Sequence, residues 1–339
     1  MTTHERERGR VRLYACGGGG INMGHKIDHI AQTSLDSFAT LDVVYLDTSK
    51  SNLHHDIDAE SVYLIQNPNS GEDKDGSGQE RATNYEDIDA QTRSILQRFK
   101  PADLNIVLST GGGGSGSVIA PSIMSELLDK GLPAIGICIG DDSTRKFTRN
   151  SLNTLKSYEK IAEIRQKPVS LLYIQNSLEM NRAAVDVRVQ HMVTSLCLLF
   201  SRRNRELDNR DLYNWLNYQI PTSYQPALTA LSLVSDLNPQ NLSKLGNLIS
   251  IATLATSVSD TALPIRPEVQ FVGFMDDASA KVLDVQASLH FIISDGVIPG
   301  AVANFDNVLK ESEEQSAARI NTRRIVSNAD KATSSGLVL

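Results

Sequence analysis

The stretch that decides the fold is LSTGGGGSGSVIAP, which runs from Leu108 to Pro121. The aliphatic residues Ile106–Leu108 predict a buried strand, and Ile119–Leu128 predicts a helix. A glycine turn between a strand and a helix presents backbone N–H groups to a ligand, and the helix adds the positive end of its dipole. The stretch therefore predicts an anion cradle of the kind that holds phosphate. A flexible glycine linker is the disfavoured alternative, because linkers do not lie between a buried strand and an amphipathic helix.

The composition is that of an ordinary globular protein. Of the 339 residues, 22% are charged and 40% are hydrophobic, and the formal net charge is -7. A nucleic-acid coat protein would be basic, so we expect no direct nucleic-acid binding. No apolar run is long enough to span a bilayer, and the charged start of the chain lacks an apolar core. We therefore expect neither membrane contact nor a secretory signal.

The cysteines and histidines predict no metal site. The three cysteines are isolated among apolar or glycine neighbours, which predicts buried thiols and not a disulfide framework. The seven histidines are expected to form no ligand-spaced cluster, and the adjacent His54 and His55 are expected to be exposed. No side-chain metal ligands are therefore predicted.

Strands and helices alternate along the first half of the chain. A second glycine run, Gly17–Gly20, follows a predicted strand at Val11–Cys16 and precedes a helix. This alternation predicts a mostly parallel sheet with helices on both faces, and with ligand loops at the carboxyl ends of its strands. Further strands are predicted at Leu41–Leu46, Pro133–Ile139 and Pro168–Ile174, and helices at Ile88–Phe99 and Ser151–Ile164.

The second half of the chain predicts a long helix followed by a smaller unit. Apolar residues at helical spacing predict a helix over Met180–Phe200, and a second helix over Leu212–Tyr218. After Pro221 the pattern predicts a smaller α/β unit with a mixed sheet. Its predicted elements are strands at Ala227–Val234, Val269–Met275 and Ala287–Ser294, a helix near Leu242–Thr256, and a terminal helix over residues 302–325.

Neither glycine run fits a common nucleotide motif. A P-loop needs the pattern GxxxxGK[ST], and both runs lack the lysine. The first run fits the dinucleotide pattern GxGxxG loosely, with Asn22 in place of the third glycine. A nicotinamide- or flavin-dependent oxidoreductase stays an alternative, but it gives the run Gly111–Gly116 no role.

Taken together, the motifs resemble the tubulin and FtsZ superfamily. GGGGSGS after a strand is similar to the GGGTGTG or GGGTGSG signature of that superfamily, and GGGGIN resembles the first phosphate loop of FtsZ. Asp47-Thr48 matches the second nucleotide loop, Gly76-Ser77-Gly78 the third, and Asn176 the sixth. The closest likeness is to the phage-encoded tubulins, the PhuZ group. It rests on NSLNTLKS, RQKPV and LDNRDLYNWLN, and covers residues 11 to 325.

The resemblance implies that GTP or GDP lies across the strand ends, together with Mg²⁺. Asp47 and Thr48 are expected near the metal or the γ-phosphate, and Asn22 and Asn176 near the ribose or base. Asp186 is expected at the guanine N1 and N2 donors, which a carboxylate can accept. Asn181 competes for that role, and a solvated helix face is the alternative. The residues implied at the phosphates are Gly18, Gly19, Gly20, Gly76, Gly78, Gly112, Gly113, Gly114, Ser115, Gly116 and Ser117.

The catalytic residues implied by the resemblance are Asp208 and Asp211. FtsZ carries NxDxxD after the central helix, and this chain keeps both aspartates but has Glu206 in the first position. In the superfamily these acids meet the nucleotide of the next subunit, so hydrolysis waits for head-to-tail assembly into a filament. An ordinary helix cap by Asp208 is the alternative. A non-hydrolysing scaffold is a further alternative, because Glu206 departs from the pattern.

The resemblance also implies the domain organisation. We expect a parallel-sheet GTP-binding domain joined by a central helix to a smaller α/β domain with a mixed sheet. The expected segments are a flexible N-terminal arm at 1–10, a nucleotide-binding domain at 11–179, the central helix at 180–200, a catalytic loop with its following helix at 201–220, a C-terminal activation domain at 221–300, and a terminal helix and tail at 301–339.

The biological role is likewise an implication of the resemblance. An assembly-stimulated GTPase of this kind is expected to form a cytoskeletal homopolymer in the cytoplasm of the infected bacterial host. There it is expected to position phage DNA or the replication compartment, with cargo linked to phage DNA or the capsid. The tail is expected to bind neighbouring subunits, either with a changed docking chemistry or through the apolar residues Leu337-Val338-Leu339.

Overall fold

The computed structural model of the protein describes residues 7–31, 38–66, 77–177, 180–235 and 238–320. Strands and helices alternate along these segments as the sequence predicts. In chain order the elements are β1 (Arg10–Cys16), α1 (Gly17–Ala31), β2 (Thr40–Asp47), β3 (Val62–Leu64), α2 (Tyr85–Arg98), β4 (Leu104–Thr110), α3 (Gly116–Asp129), β5 (Ala134–Asp141), α4 (Arg145–Arg165), β6 (Val169–Asn176), α5 (Arg182–Leu199), α6 (Asn209–Leu216), β7 (Leu228–Val234), α7 (Pro239–Ser243), β8 (Leu248–Ala255), β9 (Val269–Phe274), α8 (Asp277–Val282), β10 (Ser288–Ser294) and α9 (Val297–Ile320).

These strands form one sheet in the order β3-β2-β1-β4-β5-β6-β7-β10-β8-β9. Neighbours from β3 to β7 are parallel, and β10 is antiparallel to both β7 and β8. The joint between β6 and β7 is short and runs from the pair Val169–Leu228 to the pair Leu171–Ala230. The predicted α/β class with a mostly parallel sheet is confirmed, and the mixed strands continue the sheet across this joint.

Helices cover both faces of the parallel part of the sheet. Because neighbouring residues of a strand point to opposite faces, β1 contributes to two cores. Leu13 packs on the side of α1 and α5, with Val189 and Leu196 of α5. Tyr14 packs on the other side, with residues of α2, α3, α4 and α9. The apolar spacing that predicts the long central helix thus marks the face of α5 that packs on the sheet.

One element of the second half is predicted wrongly. The sequence predicts a helix near Leu242–Thr256, but the structure has only the short α7 there, followed by strand β8 at Leu248–Ala255. Every residue of β8 is buried, because its side chains enter two different apolar clusters. Ile249 and Leu254 pack in one cluster, and Leu248 and Ile251 pack in the other. A strand covered on both faces loses the alternation of apolar and polar residues that identifies strands in a sequence.

The last described helix, α9, folds back onto α4. Phe305 is fully buried, and Arg145 on α4 donates to Glu313 Oε1 at 2.7 Å. The helix begins earlier than predicted, at Val297. Residues 321–339, which carry the predicted tail, lie outside the described residues, as do residues 1–6 of the predicted arm. Among the helices that the structure describes, none has the length and apolar character needed to cross a membrane.

Candidate functional site

The predicted nucleotide-binding residues that the structure describes collect at one edge of the parallel sheet, apart from the predicted catalytic pair Asp208 and Asp211. Parallel strands end at the same edge, so the residues that follow β1, β2, β4, β5 and β6 come together there. Two of these strand ends lead directly into helices. The first is Gly17, which opens α1, and the second is Gly116, which opens α3 after the glycine loop. The edge therefore carries two helix N-termini side by side, each with free N–H groups and positive dipole character.

Glycine is required where the two helix starts touch. Gly17 has a φ of +69°, which disfavours any other residue, and a Cβ on it would overlap the backbone of Gly116. A Cβ on Gly116 would in turn overlap the carbonyl of Cys16. The two glycines allow the backbones of α1 and α3 to approach each other closely. This contact is what builds one continuous cradle out of two strand–helix units.

The next three glycines lie inside the first turns of α1. A Cβ at Gly18 would contact the side chain of Asn52, and a Cβ at Gly19 would overlap the side chain of Thr110. At Gly20 a Cβ would lie 2.7 Å from the carbonyl oxygen of Leu108. The sequence predicts that the glycine run precedes the helix, whereas the structure starts α1 at Gly17. Part of the glycine run therefore serves close packing of α1 against the loops and against β4.

Side chains of α4 and α3 fix the backbone of the glycine loop after β4. Asn150 Nδ2 donates to the carbonyl of Gly112 at 3.0 Å, and Thr154 Oγ1 donates to the carbonyl of Gly111 at 3.0 Å. Ser117 Oγ donates to the carbonyl of Gly114 at 2.9 Å. With these carbonyls held, the peptide planes of the loop are fixed without any ligand. Gly113 has the most space, since a Cβ there would be 3.3 Å from its nearest neighbour, Thr110 Oγ1.

A second loop, residues 77–81, closes over the glycine loop. A Cβ on Gly114 would overlap the side chain of Ser77, so these loops touch. Lys146 donates to the carbonyl of Gly78 at 3.0 Å and to Glu80 at 2.6 Å. Gly78 has a φ of +54°. The predicted third nucleotide loop therefore lies beside the cradle at Gly78, while Gly76 is outside the described residues.

Arg81 fastens this loop to the body of the molecule. Its guanidinium donates to the carbonyl of Ser117 at 2.7 Å, to Thr154 Oγ1 at 2.6 Å and to Ser157 Oγ at 3.0 Å. Burial lowers the pKa of Arg81 from its ordinary value. The sequence analysis missed this residue, because its partners are 36 to 76 positions away along the chain.

Asp47 is a buried carboxylate at the end of β2. Its Oδ1 accepts from Ser115 Oγ at 2.7 Å and from the N–H of Thr48 at 2.8 Å, and its Oδ2 accepts from Asn52 at 3.3 Å. Burial raises the pKa of Asp47, and these hydrogen bonds oppose the shift. Thr48 is itself 1% exposed. Asp47 thus orients the Ser115 hydroxyl at the start of α3.

A cleft of about 310 Å³ continues from the cradle towards the start of α5. Asn176 Oδ1 is buried at this cleft and accepts no hydrogen bond from any described residue. A buried acceptor without a donor costs free energy, so it marks a place where a ligand donor fits. The cleft is lined by Gly19, Asn22, Met23, His25, Lys26, His54, Thr110, Ile139, Asn176, Arg182, Val185 and Asp186.

The candidate base-recognition residues differ in what they contact. Asp186 lines the cleft and accepts from Lys26 at 2.5 Å. Asn22 Oδ1 accepts from His54 Nε2 at 2.8 Å. Asn181 is instead the N-cap of α5, where its side chain accepts from the N–H of Ala184 at 3.1 Å. Of the two alternatives left open by the sequence, Asp186 is the one that lines the cleft.

The two predicted catalytic aspartates form a capping box at the start of α6. Asp208 Oδ1 accepts from the N–H of Arg210 at 2.7 Å and of Asp211 at 2.9 Å. Asp211 Oδ2 accepts from the N–H of Asp208 at 3.2 Å. Within one chain, each carboxylate therefore uses one oxygen for a helix cap, as the alternative interpretation expects. Asp208 is exposed and Asp211 is half-buried.

Comparisons of the sequence and of the structure with known proteins both find phage tubulin-like proteins. No protein-family model matches the chain. A phage tubulin-like protein from Pseudomonas phage PhiPA3 is 29% identical over 334 residues, which cover 97% of this chain and 99% of that protein. A solved protofilament of TubZ from bacteriophage PhiKZ matches with a TM-score of 0.79 at 25% identity and covers 97% of this chain and 99% of its own. The phage tubulin PhuZ–GDP structure matches with a TM-score of 0.81 at 21% identity, with the same coverage.

The chain is similar to phage tubulin-like proteins over nearly its whole length. The matches span both glycine runs and the loop before α6, so the resemblance that rests on these motifs is confirmed over nearly the whole chain.

The cleft and the two aspartates lie at opposite ends of the molecule. The central helix α5 has 18 residues and is about 27 Å long at about 1.5 Å per residue. Asp186 near its start lines the cleft, and the loop that leads to Asp208 follows its end. That loop is tied to the opposite edge of the sheet, since Arg202 donates at 2.5 Å to Asp103, which precedes β4. Asp208 and Asp211 therefore do not reach the cleft of their own chain.

The structure also brings together histidines that the sequence analysis expected to be separate. His25 and His29 are four residues apart on α1, and both contact Asp56. The rings of His25 and His54 stack with their centroids 4.2 Å apart. The expectation of no histidine cluster is thus wrong. The spacing of His25 and His29 was the available signal, because residues four apart share one face of a helix.

Proposed function

We propose that this phage tubulin relative binds GTP in the cleft, hydrolyses it and polymerises head to tail. In this proposal each cleft is completed by Asp208 and Asp211 of the next subunit. The observation that carries it is the separation of the cradle and cleft from the two aspartates, by about the length of α5. The acids at the cradle and cleft are already engaged, Asp47 with Ser115 and Asp186 with Lys26. In this proposal the acids that act on the water therefore come from the next subunit.

The residues of the cleft fit a guanine nucleotide. Asn176 Oδ1, which has no donor among the described residues, suits a donor of the ribose or base. The Asp186 carboxylate can accept from both guanine N1–H and N2–H. Adenine offers no such pair of donors, so Asp186 would select GTP over ATP. The two helix starts and the fixed glycine loop would hold the phosphates through backbone N–H groups. The cleft of about 310 Å³ is at the lower end of the usual size for ligand sites.

Oxygen donors for Mg²⁺ are present beside the cradle. The Asp47 carboxylate and the Ser115 hydroxyl are the hard oxygen ligands that Mg²⁺ prefers, and they are already joined at 2.7 Å. A bound Mg²⁺ would neutralise the charge that develops on the phosphates. The role of the protein here is to hold Ser115 in place through Asp47.

The role of the two aspartates follows from their position. Asp208 and Asp211 would orient the attacking water and accept its proton through the carboxylate oxygens that the capping box leaves over. A contact between the cleft end of one subunit and the aspartate end of the next is heterologous. Such a contact propagates as a filament because it does not close on itself. The solved relative described as a protofilament supports this mode of assembly.

Phosphate release measured against protein concentration tests this proposal. With GTP and Mg²⁺, we expect release per subunit to switch on above a threshold concentration, together with light scattering, and ATP to support neither. A rate per subunit that is independent of concentration would contradict the composite site. Scattering with GTP but without phosphate release would support a scaffold of the same fold.

We further propose the division of labour expected from the resemblance, with nucleotide binding in residues 11–179 and the activating part in residues 221–300. In the infected host cell the filament would position phage DNA or its replication compartment. Fluorescence microscopy of infected cells that express an Asp211→Asn variant tests this role. We expect displaced phage DNA, whereas normal positioning of the DNA would contradict it.

A further inference from the structure

Three potential metal ligands converge beside the cleft without being part of the cradle. His25 Nε2 lies 3.2 Å from His29 Nε2 and 3.0 Å from both carboxylate oxygens of Asp56. His29 Nε2 lies 3.4 Å from Asp56 Oδ2. Potential ligand atoms from two separate segments, α1 and the turn before residue 57, therefore lie within 4.8 Å of one another.

Hydrogen bonds alone cannot satisfy this arrangement. A neutral imidazole nitrogen either carries one proton or offers one lone pair. If both Nε2 atoms donate to Asp56, two N–H groups face each other across 3.2 Å. If only one of the two Nε2 atoms carries a proton, the other presents its lone pair to the carboxylate of Asp56. One close pair is unfavourable in each case, whereas a cation would use a lone pair from all three atoms.

The separations match the coordination sphere of a small divalent ion. A tetrahedral ion with bonds of about 2.0–2.1 Å separates its ligand atoms by about 3.3 Å, close to the 3.0 to 3.4 Å observed here. Two imidazoles and one carboxylate are also a ligand set that binds transition metals, and Mg²⁺ prefers oxygen. We propose that His25, His29 and Asp56 form a binding site for a transition-metal ion of the Zn²⁺ class.

The surroundings favour a cation that enters from solvent. The side chains of His29 and Asp56 are 58% and 40% exposed, so little water must be displaced from the ligands. Asp28 adds a second carboxylate nearby, and it accepts from Tyr45 Oη at 3.3 Å. Lys26, the neighbouring cation on α1, is paired with Asp186 at 2.5 Å. Three protein ligands leave one position of a tetrahedral ion open for water or another ligand.

The proposed metal site shares a wall with the cleft but does not depend on what the cleft binds. His25 and His54 line the cleft and stack on each other, and His54 holds Asn22 at 2.8 Å. An ion on His25 and Asp56 would join α1 to the turn that carries His54. This would fix the side of the cleft where Asn22 lies. The site can therefore be tested without nucleotide.

The test is metal uptake by the purified full-length chain without nucleotide and in excess Mg²⁺. Co²⁺ is added while the visible absorption is recorded, and Zn²⁺ is then added as a competitor. We expect one equivalent of Co²⁺ to bind with the strong visible bands of a tetrahedral site, and Zn²⁺ to displace it. His29→Ala and Asp56→Asn should each lower the Zn²⁺ affinity by at least about 100-fold, since loss of an outer partner alone costs about 10–100-fold.

The matched control is His191→Ala, which removes an exposed histidine on α5. This variant should bind Co²⁺ and Zn²⁺ as the unmodified chain does, and circular dichroism should show that all variants are folded. Absence of metal uptake by the unmodified chain would overturn the proposal. Equal Zn²⁺ affinity in the unmodified chain and the folded His29→Ala variant would overturn it as well.

Discussion

The two ends of the molecule satisfy their polar groups in different ways. At the cleft, a buried acceptor on Asn176 has no described donor, and burial raises the pKa of the Asp47 carboxyl. At the other end, Asp208 and Asp211 complete each other in a capping box. The cleft therefore keeps a buried acceptor to which a ligand can donate. At the other end the capping box uses one oxygen of each aspartate and holds both side chains in place within the monomer. Chemistry that needs both ends must come from bringing two subunits together.

The largest expected effect comes from replacing the aspartates while keeping their cap. Asn caps a helix as well as Asp does, so Asp208→Asn at the N-cap should change the free energy of unfolding by less than about 0.5 kcal/mol. In Asp211→Asn the amide oxygen can still accept from the N–H of Asp208. Loss of a general base should lower GTP turnover in the assembled state by about 10²–10⁴-fold. Phosphate release and urea unfolding measure the two effects.

Asp211→Ala is the matched comparison for these variants. It removes the proposed general base and also the acceptor that Asp211 contributes to the capping box. GTP turnover and the free energy of unfolding should therefore fall together. Normal turnover in a folded Asp211→Asn filament would mean that the aspartates are caps and nothing more.

The next largest effect concerns recognition of the guanine base of the nucleotide. In Asp186→Asn one carboxylate oxygen becomes an NH₂ group, which cannot accept from guanine N2–H. The NH₂ group can instead donate to the carbonyl that xanthine carries at the same position. GTP affinity should fall by about 10–100-fold, the equivalent of a hydrogen bond to a charged group, and the preference should shift towards XTP. Nucleotide titration measures the ratio of the two affinities.

Asn181→Ala is the control for the base-recognition variant. It should cost about 1 kcal/mol of stability through the lost N-cap but leave the ratio of GTP to XTP affinity unchanged. A shift of that ratio in Asn181→Ala but not in Asp186→Asn would reverse the assignment.

The smallest effect is a pH dependence with opposite sign in the two parts of the sheet. Burial lowers the pKa of His290 on β10 to about 4, where the ring lies between Thr253 and Ser288. The unfolded chain protonates this residue near pH 6.5, so its contribution to stability is present above that pH. The contribution is lost as the pH falls towards 4. Asp47 acts in the opposite direction, because its raised pKa favours folding as the pH falls.

The fluorescence of Trp215 can be used to follow unfolding of the part of the sheet that contains His290. It is the chain's only tryptophan, and its ring lies 6.0 Å from that of Phe291. Between pH 7 and pH 5, His290 should account for about 2 kcal/mol of lost unfolding free energy. Urea unfolding should show this loss of unfolding free energy between pH 7 and pH 5 in the unmodified chain, but not in His290→Gln. Identical pH dependence of the two proteins would contradict the assignment.

The position of the two glycine runs at the sheet edge could be predicted from the sequence because its signals are local. Both glycine runs follow aliphatic strands, so the cradle and the carboxyl edge of the sheet can be inferred from short segments. Asp208 and Asp211 could likewise be picked out from a short segment, either as catalytic residues or as a helix cap. What the sequence could not show are contacts between distant segments. Arg81 is fixed by Ser117 and α4.

Two misreadings have different physical causes. Strand β8 is buried on both faces, so its sequence carries no alternation to distinguish it from a helix. His25 and His29 have a recognisable helical spacing, but Asp56 reaches them from 27 residues beyond His29. The ligand set therefore appears only when α1 and the following turn are brought together by the fold.

The central claim is that one hydrolytic site is shared by two subunits, and mixing two inactive variants tests it most directly. Asp211→Asn keeps the cleft and lacks the acid. Gly113→Asp keeps the acid and places a negative charge in the cradle at the glycine with the most space. Each variant alone should release almost no phosphate from GTP.

If the site is composite, a co-sedimenting mixture of the two variants should regain activity, because some contacts pair an intact cleft with an intact aspartate end. At equal amounts about one contact in four is of this kind in a random head-to-tail polymer, so about a quarter of the unmodified rate is expected. Filaments that contain both variants yet release no phosphate would contradict the account.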